Sequence, residues 1–161
     1  MRGPPISEFP MPVQRTLILL KPDCVQRALC GEVLARFERK GLRVVGLKLL
    51  RPTEDHAARH YAEHRERPFF PSLVQFITSS PLVALALEGD QAITVARTLI
   101  GPTDGRTAPP GTIRGDFGLS KSNNLVHGSD SPEAAERELA IWFPEGTVPA
   151  TRADQPWVET P

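Results

Sequence analysis

One of the chain's four histidines, His127, stands in a segment suited to exposing its ring: Asn124-Leu125-Val126-His127-Gly128-Ser129-Asp130-Ser131. A short apolar strand runs into the histidine, then a glycine, small polar residues and a helix start, which puts the imidazole in a polar turn. Neutral imidazole is a good nucleophile near neutral pH, and its phosphoramidate is energetic enough to pass a phosphoryl group on. A histidine in a turn is often plain surface, so Glu138 matters. Ala135, Leu139 and Trp142 recur at helical spacing, and Glu138 falls on the same apolar stripe, with Glu133 and Arg137 opposite. An inward carboxylate is costly unless paired. Either Glu138 reaches solvent from the stripe edge, or it orients His127, fixing its tautomer and supporting positive charge on the ring.

A cationic set is spread along the chain. Lys21 ends the first apolar strand, Arg97 lies on the helix after the third, and Arg114 sits in a long loop with Thr103 and Thr112. Taken singly these are solvated charges. Together they supply the ammonium and guanidinium donors that phosphoryl transfer needs around its developing charge. No GxxxxGK[ST] loop and no GxGxxG fingerprint is present, so phosphates would be handled by side chains. Cys24 and Cys30, the two cysteines, form no CxxC pair and read as structural thiols of a reducing, cytoplasmic setting.

The elements that must position these groups follow from pattern. Residues 1–14 hold four prolines and read as an extended arm. Residues 15–21 (RTLILLK) form an apolar strand ending at Pro22. Residues 31–40 have helical spacing closed by Gly41, and residues 42–50 form a second strand. Thr53 is an N-cap for a helix through His60 and Tyr61. Pro68 starts another helix, carrying Phe69, Leu73, Phe76 and Ile77. Residues 81–88 (PLVALALE) are a buried strand, and Asp90 caps a helix to Ile100. Residues 101–122 form a long loop of the kind that is usually functional. Residues 124–127 are a fourth strand, and Ser131-Pro132 opens the last helix, which runs to Phe143. The order β-α-β-(αα)-β-α-β predicts a ferredoxin-like α/β sandwich, a four-stranded antiparallel sheet covered by helices on one face. Residues 146–161 make a proline-rich tail with one apolar anchor, Trp157, expected to pack on a subunit surface.

Length and charge set the outer limits. At 161 residues one domain with a real core is expected. Nineteen basic and nineteen acidic residues cancel, so no overall field draws the chain to nucleic acid or an anionic membrane. The longest apolar runs are too short to span a bilayer, and the N-terminus has no apolar signal segment.

Four blocks in order carry a family resemblance: RTLILLKPD at 15–23, HYAEHRERPFF at 60–70, PGTIRGDFG at 110–118 and NLVHGSDS at 124–131. The chain resembles the nucleoside diphosphate kinases over residues 15–145. The resemblance implies a ping-pong transfer of the γ-phosphoryl group of ATP or another nucleoside triphosphate to diphosphates, through a phosphohistidine at His127. Glu138, bridged by Ser129, resembles its orienting pair. Lys21 and Asn124 resemble ligands of the ribose 3′-hydroxyl, with Lys21 and Tyr61 near the transferring phosphate. Arg97 and Thr103 resemble β-phosphate ligands, and Arg114 a γ-phosphate ligand. Phe69 resembles the platform under the base, with Leu73 nearby, and one-faced stacking explains tolerance of all bases. Asp130 resembles a residue that meets magnesium through water, the ion riding on the nucleotide phosphates. A homo-oligomer is implied, a hexamer first and a tetramer next. The chain departs from many members at Thr103-Asp104-Gly105, where a proline commonly follows; the glycine adds unfolded-state entropy that would loosen the loop, against which Pro109 and Pro110 would compensate.

Overall fold

The computed structural model describes residues 13–149. Strand β1 (Gln14–Leu20) leads through a short helix α1 (Pro22–Gln26) to α2 (Cys30–Lys40) and β2 (Arg43–Leu50). Two further helices, α3 (Glu54–His60) and α4 (Phe70–Thr78), precede β3 (Leu82–Gly89). Helices α5 (Ala92–Ile100) and α6 (Ile113–Phe117), strand β4 (Val126–Gly128) and helix α7 (Pro132–Trp142) complete the order. The strands lie β2-β3-β1-β4 and every pairing is antiparallel. This is the ferredoxin-like arrangement expected from the sequence. Register is pinned by charge as well as pleat: Glu88 sits opposite both Arg15 and Arg43 and pairs with them at 2.9 and 3.3 Å.

The sheet is covered on both faces, not one. Ile18, Leu20, Leu85 and Leu87 pack with Val33 and Phe37 of α2 and with Ala92, Ala96 and Ile100 of α5. Leu17, Leu19, Ala84 and Ala86 pack the other way, against Ala57 of α3, Ile77 of α4, and Ile141 and Trp142 of α7. A strand buried on both sides must be apolar at every position rather than every second one. The continuous runs in β1 and β3 are the mark of this.

Local chemistry sets several element ends. Thr53 caps α3 through a bond from the His56 amide, Ser131 caps α7 through one from Ala134, and Gly41 closes α2 at φ 108°. Asp90 is not the cap of α5: β3 runs on to Gly89, and Gln91 takes the cap position at φ 49° without a side-chain bond. Pro68 does not begin α4 either. It lies in a turn closed by a bond from Phe70 N to Arg67 O, and Pro71 occupies the first helical turn.

The long loop is tied down rather than loosened. It contains α6, capped by Thr112, and Gly105 N–H donates to Ser120 O at 3.2 Å. A Cβ on Gly105 would lie 2.6 Å from the backbone carbonyl of Gly118, so the glycine permits a close backbone approach. Gly105→Ala is therefore expected to destabilise the fold by about 1–3 kcal/mol, the usual cost of overpacking; a denaturation midpoint equal to or above that of the wild type would refute this. At the other end of the domain Val148 N–H donates to Val45 O at 2.8 Å, beside the irregularity in β2 between Val44 and Gly46. Trp157 falls outside the described residues.

Candidate active site

His127 lies on β4, opposite Leu19 of β1. The turn before it is unusual. Leu125 is fully buried yet adopts φ 70°, a conformation that costs an L-residue about 1–2 kcal/mol. Its N–H donates to Asp23 Oδ2 at 3.0 Å and its carbonyl accepts from Lys21 N at 2.8 Å. The short helix α1, missed by periodicity because it spans only five residues, brings Asp23 to this position.

The ring of His127 is held by one nitrogen. Its Nε2 lies 2.8 and 3.1 Å from the two carboxylate oxygens of Glu138. Ser129 Oγ donates to Glu138 Oε2 at 2.6 Å and accepts from Leu17 N at 3.2 Å, so the carboxylate is tied through Ser129 to β1. Glu138 is buried, with 4% exposure. Burial pushes its pKa up, but the hydrogen bonds from His127 and Ser129 and nearby positive charge outweigh this and hold it below the ordinary carboxylate value. The carboxylate is thus an anion that can only accept. Nε2 therefore carries the ring proton, and Nδ1 keeps a lone pair with no partner among the described residues.

A cavity of about 210 Å³ opens over this ring, and Tyr61, Arg97, His127, Asp130 and Glu138 all line it. Tyr61 is pushed to a pKa of about 12, by burial first and by Glu138 second, so it stays a neutral phenol. Arg97 Nη1 donates to Gly128 O at 3.2 Å. Asn124 knits a second group beside the first. Its Oδ1 accepts from Lys21 Nζ at 2.7 Å, and its Nδ2 donates to the carbonyls of Thr103 and Lys121. Arg114 is 6% exposed and donates to the carbonyls of Asn124, Gly101 and Val126. Three of its five N–H donors are used, leaving two. None of Lys21, Arg97 or Arg114 is paired with a carboxylate among the described residues' salt bridges. Burial and then the charge of Arg114 lower Lys21 to about 8, against the opposing pull of Asp23. Burial and then Arg97 lower Arg114 to about 10. Cations that repel one another in this way are offset only in part by the one carboxylate acting on Lys21 and Arg114, that of Asp23.

Phe69 and Leu73 do not line the cavity. Phe69 stands 47% exposed at the start of α4, reached through His64, whose ring centroid is 5.5 Å away. Leu73 is half-buried one turn on. Sequence reasoning missed His60, Glu63, His64 and Arg137 as cavity-lining residues. Arg137 was expected on the outer face of α7 but is half-buried, donating to Arg59 O at 3.1 Å. The signal for His60 was its place three residues after buried Ala57 on α3. A larger groove of about 380 Å³, lined by Val13, Ile93, Pro132, Ala135 and Leu139 among others, holds no nucleophile. Cys24 is buried and Cys30 half-buried, both as free thiols, and burial first pushes both pKa values up.

Comparison with known proteins identifies the family and the fold. The family model described as Nucleoside diphosphate kinase matches residues 14–148. A nucleoside diphosphate kinase of Staphylothermus marinus is 57% identical over 138 residues, covering 86% of this chain and 98% of the relative. One from Rhodopirellula baltica is 59% identical over 131 residues, covering 81% and 86%. Among solved structures, a halophilic nucleoside diphosphate kinase from Halobacterium salinarum in complex with CDP superposes with a TM-score of 0.87 at 47% identity, covering 91% of this chain and 98% of that one. A nucleoside diphosphate kinase family protein from Babesia bovis gives 0.88 at 47% identity, covering 91% and 99%. The chain is a phosphotransferase and belongs to the nucleoside diphosphate kinase family.

Proposed function

We propose that the chain moves the γ-phosphoryl group of a nucleoside triphosphate, mainly ATP, to nucleoside diphosphates by a ping-pong sequence through a phosphohistidine at Nδ1 of His127. The observation that carries this reading is the bond from His127 Nε2 to Glu138, which leaves Nδ1 as the nucleophilic nitrogen of a ring that lines the cavity. Nδ1 attacks the γ-phosphorus in line; the N–P bond forms as the bond to the bridging oxygen breaks, and the diphosphate leaves with that electron pair. The Nε2 proton stays between ring and carboxylate, so charge on the phosphorylated ring faces an anion. A terminal oxygen of the acceptor diphosphate then attacks the same phosphorus and Nδ1 departs.

Arg97, Thr103 and Arg114 hold the β- and γ-phosphates, and Tyr61 and Lys21 donate to the transferring group. Lys21 and Asn124, already bonded to each other, take the ribose 3′-hydroxyl. Magnesium fits as an ion carried by the phosphates: Asp130 is an exposed hard oxygen donor in the cavity wall, suited to meeting it through water, and the ion when bound offsets phosphate charge. A homo-oligomer is favoured by β2, an edge strand whose Leu47 and Leu49 are 53% and 64% exposed; the preference for a hexamer over a tetramer rests on the family resemblance alone. We assign the catalytic domain to residues 15–145, between the N-terminal arm and the C-terminal tail, with a cytoplasmic setting and no main role with nucleic acid or membrane. A coupled assay with ATP and several diphosphates, run beside His127→Ala, tests the reading; activity retained in the variant would overturn it.

Two further outcomes are expected. Phe69→Ala should weaken nucleotide binding by about 1–3 kcal/mol, the worth of one base–aromatic stack, with all four bases affected alike. Titration calorimetry showing a loss confined to one base would mean that the pocket reads base edges. The second concerns Lys21. Its folded pKa of about 8 lies below the ordinary lysine value, so holding the cation in the fold costs stability below that pH. The cost fades as pH rises from about 8 toward the unfolded value. Polyphosphate favours the cation, so binding should take up protons near pH 8 and weaken as pH rises through it. Calorimetry in buffers of different ionisation enthalpy measures this; affinity flat from pH 7 to about 9, with no proton uptake, would exclude it.

A further inference from the structure

A ring nitrogen of His60, one of His127 and a carboxylate oxygen of Glu138 lie within 4.8 Å of one another. Two imidazoles and a carboxylate are a donor set that zinc accepts. The polarity of His60 opposes that use. Trp142 Nε1 can only donate, and it lies 3.1 Å from His60 Nδ1. Nδ1 is therefore the accepting nitrogen and Nε2 bears the proton. A metal on Nε2 would force the proton onto Nδ1, against the indole N–H, and a metal on Nδ1 would displace the indole.

The same contacts suit another task. His60 is 5% exposed; its ring stands nearly perpendicular to that of His127, with centroids 4.5 Å apart at 80°, and meets Trp142 at 5.7 Å and 74°. Trp142 is itself buried and stacks on His56 at 5.1 Å and 16°. His56 is fixed in turn, its amide donating to Thr53 Oγ1 and its Nδ1 accepting from Thr53 N. A chain of rings thus runs from the cap of α3, through α7, to the nucleophile. The forked contact of Nε2 with the two Glu138 oxygens fixes the place of that nitrogen but leaves the ring free to tilt about it; a perpendicular ring against it removes the tilt.

We propose that His60, locked by Trp142 as the Nε2–H tautomer, is a positioning residue that sets the plane of the His127 ring so that Nδ1 meets the γ-phosphorus in line. The proposal rests on the reading of His127 as nucleophile. In-line attack depends steeply on angle, and small misplacements are expensive in rate. Burial, followed by neighbouring positive charge, holds the His60 pKa well below its usual value. The positioning ring is thereby neutral, and adds no repulsion to the charge that develops on His127.

The test is single-turnover phosphorylation of the full chain by γ-labelled ATP, with ADP affinity measured separately, in His60→Leu, His60→Asn and Trp142→Phe. Leucine keeps apolar volume without an acceptor, whereas asparagine keeps an acceptor close to the place of Nδ1. His60→Leu should slow phosphorylation ~10-fold or more with ADP affinity within ~2-fold, since only orientation is lost. His60→Asn, which keeps the acceptor for Trp142 and sets a smaller planar amide in place of the ring, should recover part of the rate. Trp142→Phe should slow it too, and adding it to His60→Leu should cost little more, because the two residues act as one chain. Wild-type rate in His60→Leu, rate and affinity lost in proportion, or no recovery with asparagine would each overturn the proposal. If His60→Leu fails to fold, Trp142→Phe decides by the same split between rate and affinity. Label retained by His127→Ala would instead overturn the nucleophile itself, whatever the His60 variants do.

Discussion

His127→Ala incubated with γ-labelled ATP and no acceptor is expected to remain unlabelled, while the wild type takes up one phosphate that is labile in acid and stable in base. The alanine leaves the cavity, its cations and Phe69 in place, so nucleotide should still bind. What disappears is the nitrogen whose lone pair forms the N–P bond. Losing a covalent nucleophile removes the whole pathway, so turnover should fall on the order of 10⁴-fold or more. Label that survives acid, or that persists in the variant, would identify a different nucleophile.

The next largest effect is expected from Glu138→Gln. The substitution keeps shape but removes the anion that accepts from His127 Nε2 at 2.8 Å and from Ser129 at 2.6 Å. A glutamine amide also offers a donor, which would stabilise the tautomer with its proton on Nδ1, the wrong nitrogen for attack. Phosphorylation of His127 should slow by one or more powers of ten, each ~1.4 kcal/mol of lost transition-state support being tenfold. Nucleotide affinity should hold, because no phosphate or ribose contact is removed. Full turnover in the variant, or equal losses of binding and turnover, would end the orienting role. Acid stability gives an independent readout. The folded pKa of Glu138 is depressed, so its contribution is present at neutral pH and lost as pH falls through the folded value. The glutamine variant should show a flatter acid limb in the wild type's carboxylate range.

Much of this was legible in the chain because each feature had one dominant local cause. Strand and helix existence followed from apolar period, and the caps at Thr53, Ser131 and Gly41 followed from side-chain chemistry. Glu138 was visible because a carboxylate on an apolar stripe contradicts its surroundings. The features that escaped depend on what lies across space. The second covered face was written in the unbroken apolar runs of β1 and β3, but an unbroken run states burial without naming its cover. His60 looked like the polar end of a helix; only its contact with Trp142, 82 positions away, gives it a tautomer. Chain entropy alone makes Gly105 a source of looseness, whereas the approach of the Gly118 backbone makes it a requirement of packing.

The left-handed Leu125 narrows what evolution or an engineer can place there. Glycine would release the backbone, but it would empty a fully buried site in the core that Ile18 and Leu20 form with α2 and α5, where a leucine side chain contributes about 1.5–3 kcal/mol. Valine or isoleucine would fill the volume, yet branching at Cβ makes φ 70° a severe outlier. Asparagine tolerates the backbone angle but would bury an amide in the apolar core that includes Val126 and Ile113. Leucine, with methionine as its nearest substitute, is unbranched at Cβ and still apolar. Tolerance to substitution two residues from His127 is therefore set by the intersection of two unrelated demands, and a library randomised at this position should return almost one shape.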